Sequence, residues 1–236
     1  MIDSKKWSQL ILEELTRDRQ KTAEQFRETA EHFRKLLEML NKYEPYGSSK
    51  KGKKAVRQSF QILKLKVAAE IERLMSASDD LTQLISFAEP DIENNPDALE
   101  DLRDDYQRAL SRQIREQLLS VIEILDHLDV LAELDIEAPA SPRYRYNFYR
   151  QLRNLMQPLR AEIEAHLLTT YGVAVIQADD LIGKYPPLDV TSIAFREDDS
   201  RSNAFVVSRI LHNGYSWNGK VLRKISVSVI TKKETA

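Results

Sequence analysis

Four histidines, His32, His127, His166 and His212, are the side chains best suited to proton transfer or metal ligation, and they lie far apart in sequence. None belongs to an HxxxH or HExxH pair, and no local context suggests a Ser-His-Asp order. No glycine loop of the kind that cradles phosphates is present. The absence of cysteine removes disulfides, thiol nucleophiles and cysteine-ligated zinc, and it accords with a reducing compartment. These patterns predict a protein that is not an enzyme and needs neither cofactor nor metal.

What remains is the chemistry of recognition. Lys50, Lys51, Lys53, Lys54 and Arg57 gather in and beside one loop, where they could meet phosphates or an acidic protein face. No aromatic residues interleave with them to stack bases, so flexible solvated lysines are the favoured reading and a nucleic-acid partner is not expected. Residues 79 to 105 carry the opposite bias, with Asp79, Asp80, Glu89, Asp91, Glu93, Asp97, Glu100, Asp101, Asp104 and Asp105 against Arg103. Their spacing lacks the glycine and the terminal glutamate of a calcium loop. They read as a solvated acidic stretch that could attract the basic one, within the chain or across a dimer. Trp217, between Ser216 and Asn218, either folds back onto its sheet or stands out as an anchor for a partner.

The elements that must position these residues follow from composition and periodicity. A chain of 236 residues with 42% hydrophobic and 31% charged residues fits a water-soluble protein, and six glycines and eight prolines favour helix. A formal charge of −2 gives no global pull toward nucleic acid or membrane. The N-terminus has no apolar core of signal-peptide length, and no run approaches the ~20 apolar residues that span a bilayer. A cytoplasmic protein is expected.

From Ser4 to about Tyr43 the pattern is helical, with Ala23, Phe26, Ala30, Phe33, Leu37 and Leu40 on an a/d seam. Pro45, Gly47, Ser48, Ser49 and Gly52 break it. A second helix is predicted from about Lys54 to Ala88, its stripe formed by Phe60, Leu63, Val67, Ile71, Leu74, Leu81 and Ile85. A third, capped by Asn95 or Asp97, should run to about Leu134, with Pro96 in its first turn. A fourth, over 147 to 172, carries Tyr149, Leu152, Met156, Leu159, Ile163 and Leu167, and Pro158 inside it predicts a kink or a restart.

Strands are expected at 173 to 177, 188 to 196, 203 to 211 and from Lys220 onward, with a proline-marked turn at Pro186-Pro187. Two Asn-Gly pairs, Asn213-Gly214 and Asn218-Gly219, are hairpin signals, and Ile225, Val227 and Val229 alternate with Lys224, Ser226 and Ser228. The fold class is therefore α+β: long helices and a helical hairpin followed by a small, mostly antiparallel β-domain. The segments are 1–92, 93–172 and 173–236.

Gly214, Tyr215, Asn218, Val221, Leu222 and Arg223 resemble the C-terminal signature of the GrpE family, the nucleotide exchange factors of DnaK-type chaperones, with Lys220 where that family usually has arginine. Residues 118 to 131, L-L-S-V-I-E-I-L-D-H-L-D-V-L, resemble the segment that enters the family's dimerisation bundle. Tyr171-Gly172-Val173 resembles the step that ends its last helix. The likeness covers roughly residues 98 to 231. The chain departs from the family at Tyr185 to Ile193, where a histidine and a glutamate are missing, at Lys224-Ile225, and in an N-terminal half broken into two helices.

The resemblance implies a homodimeric co-chaperone in protein folding and stress response, without cofactor, whose β-domain binds the nucleotide-binding domain of a DnaK-type chaperone and promotes ADP release. Carried over by position, Leu211, Lys220 and Val229 would touch that partner, and Asn218 and Gly219 would shape the turn. Trp217 and Arg223 complete the candidate partner site, while Tyr215, Leu222 and Ile225 read as core. The alternative is an interaction or scaffold protein that reuses the fold without exchange activity.

Overall fold

The computed structural model describes residues 4–42, 52–83, 96–133, 142–178, 180–197 and 205–231. The fold is α+β. Four helices, α1 (Ser4–Lys42), α2 (Gly52–Gln83), α3 (Pro96–Glu133) and α4 (Pro142–Tyr171), precede six short strands. The strands are β1 (Val173–Ile176), β2 (Thr191–Arg196), β3 (Phe205–His212), β4 (Gly214–Trp217), β5 (Lys220–Arg223) and β6 (Ile225–Thr231). The chain forms two compact units, Met1–Arg160 and Ala161–Ala236, where the sequence reading has three segments.

In the first unit α1 and α2 form a hairpin. Ser78 Oγ donates to Ala23 O at 3.0 Å, and Arg27 pairs with Asp79 at 3.5 Å. Ala23, Phe26, Ala30, Phe33 and Leu40 are buried as expected, but Leu36, 2% exposed, takes the core position assigned to Leu37. Thr22, Phe26, Thr29, Phe33, Leu36 and Leu40 are all buried and recur at the 3.6-residue period of a straight helix, so Leu36 rather than Leu37 lies at the centre of the covered face. On α2 the stripe from Phe60 to Leu81 is buried, and Ile85 lies outside the described residues.

α3 runs antiparallel to α2, since Glu123 pairs with Lys66 at 3.8 Å while Ser120 meets Glu70 one turn along each helix. Leu118, Val121, Ile122, Ile124, Leu125, Leu128 and Leu131 are all buried. Toward the start of α3, Arg103 pairs with Glu14 at 2.8 Å, and Arg19 lies 4.2 Å over the Tyr106 ring. Ile11 and Leu15 pack against Tyr106, and burial pushes its phenol above the ordinary value. Asp129 of α3 pairs with Arg160 of α4 at 2.8 Å.

The carboxyl of Glu70 is buried in this unit. Glu70 Oε2 accepts from Ser120 Oγ at 2.5 Å, and Arg73 Nη1 stands 3.5 Å from the same oxygen while donating to Ser120 Oγ at 2.8 Å. Its other oxygen, Oε1, is buried with no hydrogen-bond partner. Burial raises the Glu70 pKa, and the Ser120 hydrogen bond and the Arg73 charge oppose that rise only in part.

α4 passes through Pro158 as one helix, so the expected restart is not found. Pro158 is exposed, and the carbonyl it leaves without a helical donor can be taken by water. Met156, Leu159, Ile163 and Leu167 form its buried stripe, while the side chains of Tyr149 and Leu152 lie outside the described set.

Among the described residues the second unit holds two three-stranded sheets, ordered β1-β4-β5 and β2-β6-β3. Among these strands the pairs are antiparallel except β2 with β6, which is parallel. The run expected as one final strand divides at Lys224, β5 closing the first sheet and β6 forming the middle of the second. Ala178, Val207, Ile225, Val227 and Val229 make the second sheet's core. Ser228 is also buried, and its hydroxyl donates to Glu197 Oε1 at 2.8 Å, which also accepts from Ser208 Oγ at 2.6 Å. One carboxylate thus spans the three strands.

Of the two Asn-Gly pairs, only Asn218-Gly219 makes a hairpin. Both residues have positive φ, 51° and 74°, as the tight turn between β4 and β5 requires. At Asn213-Gly214 the chain instead crosses from β3, which pairs with β6, to β4, which pairs with β1. The proline-marked turn is present: Val190 N and Thr191 N both donate to Pro187 O, at 3.1 and 2.9 Å.

Candidate functional site

The β4–β5 hairpin is built by residues that each close one part of it. Tyr215, 1% exposed, points inward, and its hydroxyl donates to Glu164 Oε1 on α4 at 3.1 Å. Arg223, paired across the strands with Tyr215, sets its guanidinium 5.2 Å from that ring and donates from Nη2 to Asn213 O at 2.7 Å. Leu222 is buried. Arg223 therefore brackets the base of the hairpin from within the chain.

The tip lies at the junction of α4 and β1. Helix α4 ends with Gly172 at φ 71°, whose N–H donates to Leu168 O at 3.0 Å, a left-handed helix cap. Trp217 is half-buried, and its indole Nε1 donates to Tyr171 O at 3.1 Å. Its fate is the folded-back one. Beyond it Asn218, Gly219, Lys220 and Val221 are all exposed.

The structure does not gather all the expected contact residues. Trp217, Asn218, Gly219 and Lys220 are contiguous at the tip, but Leu211 and Val229 belong to the other sheet. Leu211 is half-buried at a register irregularity in β3. Val229 is 1% exposed in the second sheet's core, so in this conformation its side chain is beyond a partner's reach. Val229 lies on the packed face of the second sheet, in one cluster with Val207, Ile225 and Val227, and alternation alone does not reveal which face of a strand is covered.

Sequence reasoning passed over a group of exposed apolar side chains near the second sheet. Ile182, Tyr185, Leu188 and Phe195 are more than half exposed, with Leu188 at 67%. Lys224 Nζ donates to Leu188 O at 2.6 Å, which ties the turn bearing Leu188 to the corner that follows β5. The available signal was the apolar residue inside a proline-marked turn, where nothing local can bury it.

Comparison of the chain with protein-family models, with curated proteins and with solved structures finds no match. The geometry therefore carries the functional reading.

The histidines do not converge on a site. His32, His127 and His212 are half-buried on α1, α3 and β3, while His166 is buried on α4 with Nδ1 at 3.1 Å from Thr170 Oγ1. Among the described residues no group of three His, Asp or Glu side chains is arranged to hold a metal ion. A cleft of about 310 Å³ opens between α4 and β1, but it is lined mainly by apolar side chains, and its carboxylate, Glu164, is engaged by Tyr215. Lys50 and Lys51 lie outside the described residues, as do Glu89, Asp91 and Glu93. Lys53, Lys54 and Arg57 fall on α2, with side chains outside the described set. Among the described residues no helix is long and apolar enough to cross a membrane.

Proposed function

We propose that this chain is a divergent GrpE-type co-chaperone that binds the nucleotide-binding domain of a DnaK-type chaperone and promotes ADP release. The observation that carries the reading is the common role of the residues that resemble the family signature. Gly214 permits a close crossing, Tyr215 and Leu222 fill the core, Asn218 supplies the turn, and Arg223 brackets the base. Five of the six signature residues thus serve the frame of one hairpin, while the sixth, Val221, is exposed beside Lys220.

A hairpin with a tight turn and an internally bonded base keeps its shape when it binds, and an exchange factor requires that. It performs no covalent chemistry. It favours the open form of its partner, and a tenfold preference corresponds to ~1.4 kcal/mol. The exposed Tyr185, Leu188 and Phe195 add apolar area of the kind protein partners bury.

The test is stopped-flow release of a fluorescent ADP analogue from a DnaK-type chaperone, with wild type and Lys220→Ala compared. Acceleration that falls in the variant supports the reading, and no acceleration by the wild type overturns it.

One observation favours a second reading. The apolar stripe of residues 118 to 131, which the resemblance assigns to a dimerisation bundle, is buried against the chain's own helices. A protein whose bundle closes without a second copy fits an interaction or scaffold role that reuses the fold. Binding to the chaperone without faster ADP release would select it.

A further inference from the structure

We propose that Trp217 is a positioning residue: its indole N–H caps the C-terminal end of α4 and so fixes the direction in which the hairpin tip presents Lys220. The proposal rests on the exchange reading and adds to it the device that aims the tip.

A helix end leaves its last carbonyls without helical donors, and each must find another partner. At the end of α4 the Gly172 N–H satisfies Leu168 O, and the partner of Tyr171 O comes from β4, the Trp217 indole at 3.1 Å. The same strand is held laterally, since Trp217 pairs with Val173 of β1 on one side and with Lys220 of β5 on the other. Asn218 Oδ1 lies 3.7 Å from the point where a Cβ on Gly172 would stand, so the turn itself also rests on the helix cap.

Lys220 therefore faces, across one strand pair, the residue whose side chain is bonded to the helix. A two-residue turn with a free tip swings about its base, and its lysine samples many directions. A tip fastened at Trp217 offers its lysine in one, which reduces the freedom lost on binding. The bond is directional and specific to an N–H donor. A phenylalanine there would keep much of the packing and lose the tether.

The first measurement needs no variant. Hydrogen exchange of the Trp217 indole Nε1–H in the full chain, followed by NMR with Trp7 as the second indole signal, should be slow at Trp217. Exchange as fast as in a free indole overturns the proposal. The second is a cycle of Trp217→Phe, Lys220→Ala and the double variant in ADP-analogue release from a DnaK-type chaperone. Trp217→Phe should raise the half-saturating concentration about threefold to tenfold, in line with one neutral hydrogen bond, with little change in the maximal rate.

In the Lys220→Ala background the same change should have little further effect, because a residue acting through Lys220 has nothing left to aim. Full additivity of the two changes, or no effect of Trp217→Phe, overturns the proposal. A wild type that does not accelerate release overturns the exchange reading instead, and the indole exchange rate then decides whether the tip is tethered.

Discussion

Gly214 lies so close to Ile225 that a Cβ built on the glycine would stand 2.6 Å from Ile225 Cγ1 and 2.9 Å from Ile225 N. The contact joins the start of β4 to the start of β6, the point where the two sheets of the second unit meet. Gly214→Ala should therefore destabilise this unit by about 1–3 kcal/mol through overpacking. Ile225→Ala should relieve only part of that cost, because the backbone nitrogen remains in the way. Urea denaturation of both single variants and the double variant checks this, and a neutral Gly214→Ala would show that the crossing is looser than described.

The same substitution at Gly219 should act by a different route. A Cβ there meets nothing within 4 Å, so the cost is the positive φ of 74° alone, about 1–2 kcal/mol for an L-residue. Asn218→Gly, at φ 51°, should be close to neutral, since either residue suits the turn. Denaturation midpoints that rank Asn218→Gly above Gly219→Ala are the expected outcome.

Glu70 predicts a pH dependence. Its folded pKa is raised by burial above the ordinary glutamate value of about 4.5, so the folded state binds the proton more tightly than the unfolded state does. Through this group stability is highest below about 4.5, falls as pH rises from there through the folded pKa, and stays lower above it. Arg73 and Glu123 are the charged neighbours that act on it, with opposite signs. Glu70→Gln removes the titration, so its stability should change less with pH over that window than the wild type's. Urea midpoints of the two proteins that ran parallel across the window would contradict this.

Lys220 and Val229 should separate binding from folding. Lys220→Ala alters an exposed tip and should weaken a chaperone complex with the unfolding midpoint within about 0.5 kcal/mol of wild type. Val229→Ala removes apolar volume from a closed core and should cost about 1.5–3 kcal/mol of stability. At temperatures where it is folded, it should bind the chaperone as wild type does. Calorimetric titration alongside thermal unfolding measures both quantities.

The helices were legible because their buried stripes repeat over many turns, and the stripes from Phe60 to Leu81 and from Met156 to Leu167 stand where periodicity placed them. Leu36 was missed because the face it belongs to is marked by buried Thr22 and Thr29, which an apolar template passes over. The split of the final strand was harder to see. Its one local sign is that buried Leu222 and Ile225 stand three apart, a spacing no single strand face allows. The crossing at Asn213-Gly214 looked like a second turn because a glycine needed for close approach and one needed for positive φ are the same letter. The tether from Trp217 to Tyr171 joins residues distant in sequence through a backbone carbonyl, and a carbonyl leaves no mark in composition.

The strand that comes last in chain order occupies the middle of the second sheet, with β2 on one side and β3 on the other. During synthesis β2 and β3 leave the ribosome before the strand that separates them exists. Until Ile225 to Thr231 follow, each of the two has an open edge where β6 will lie. A chain stopped just short of Ile225 would thus lack more than a terminal strand: it would carry two unpaired edges open to other chains. Closure of the second sheet therefore waits on β6, the strand to which both β2 and β3 are bonded.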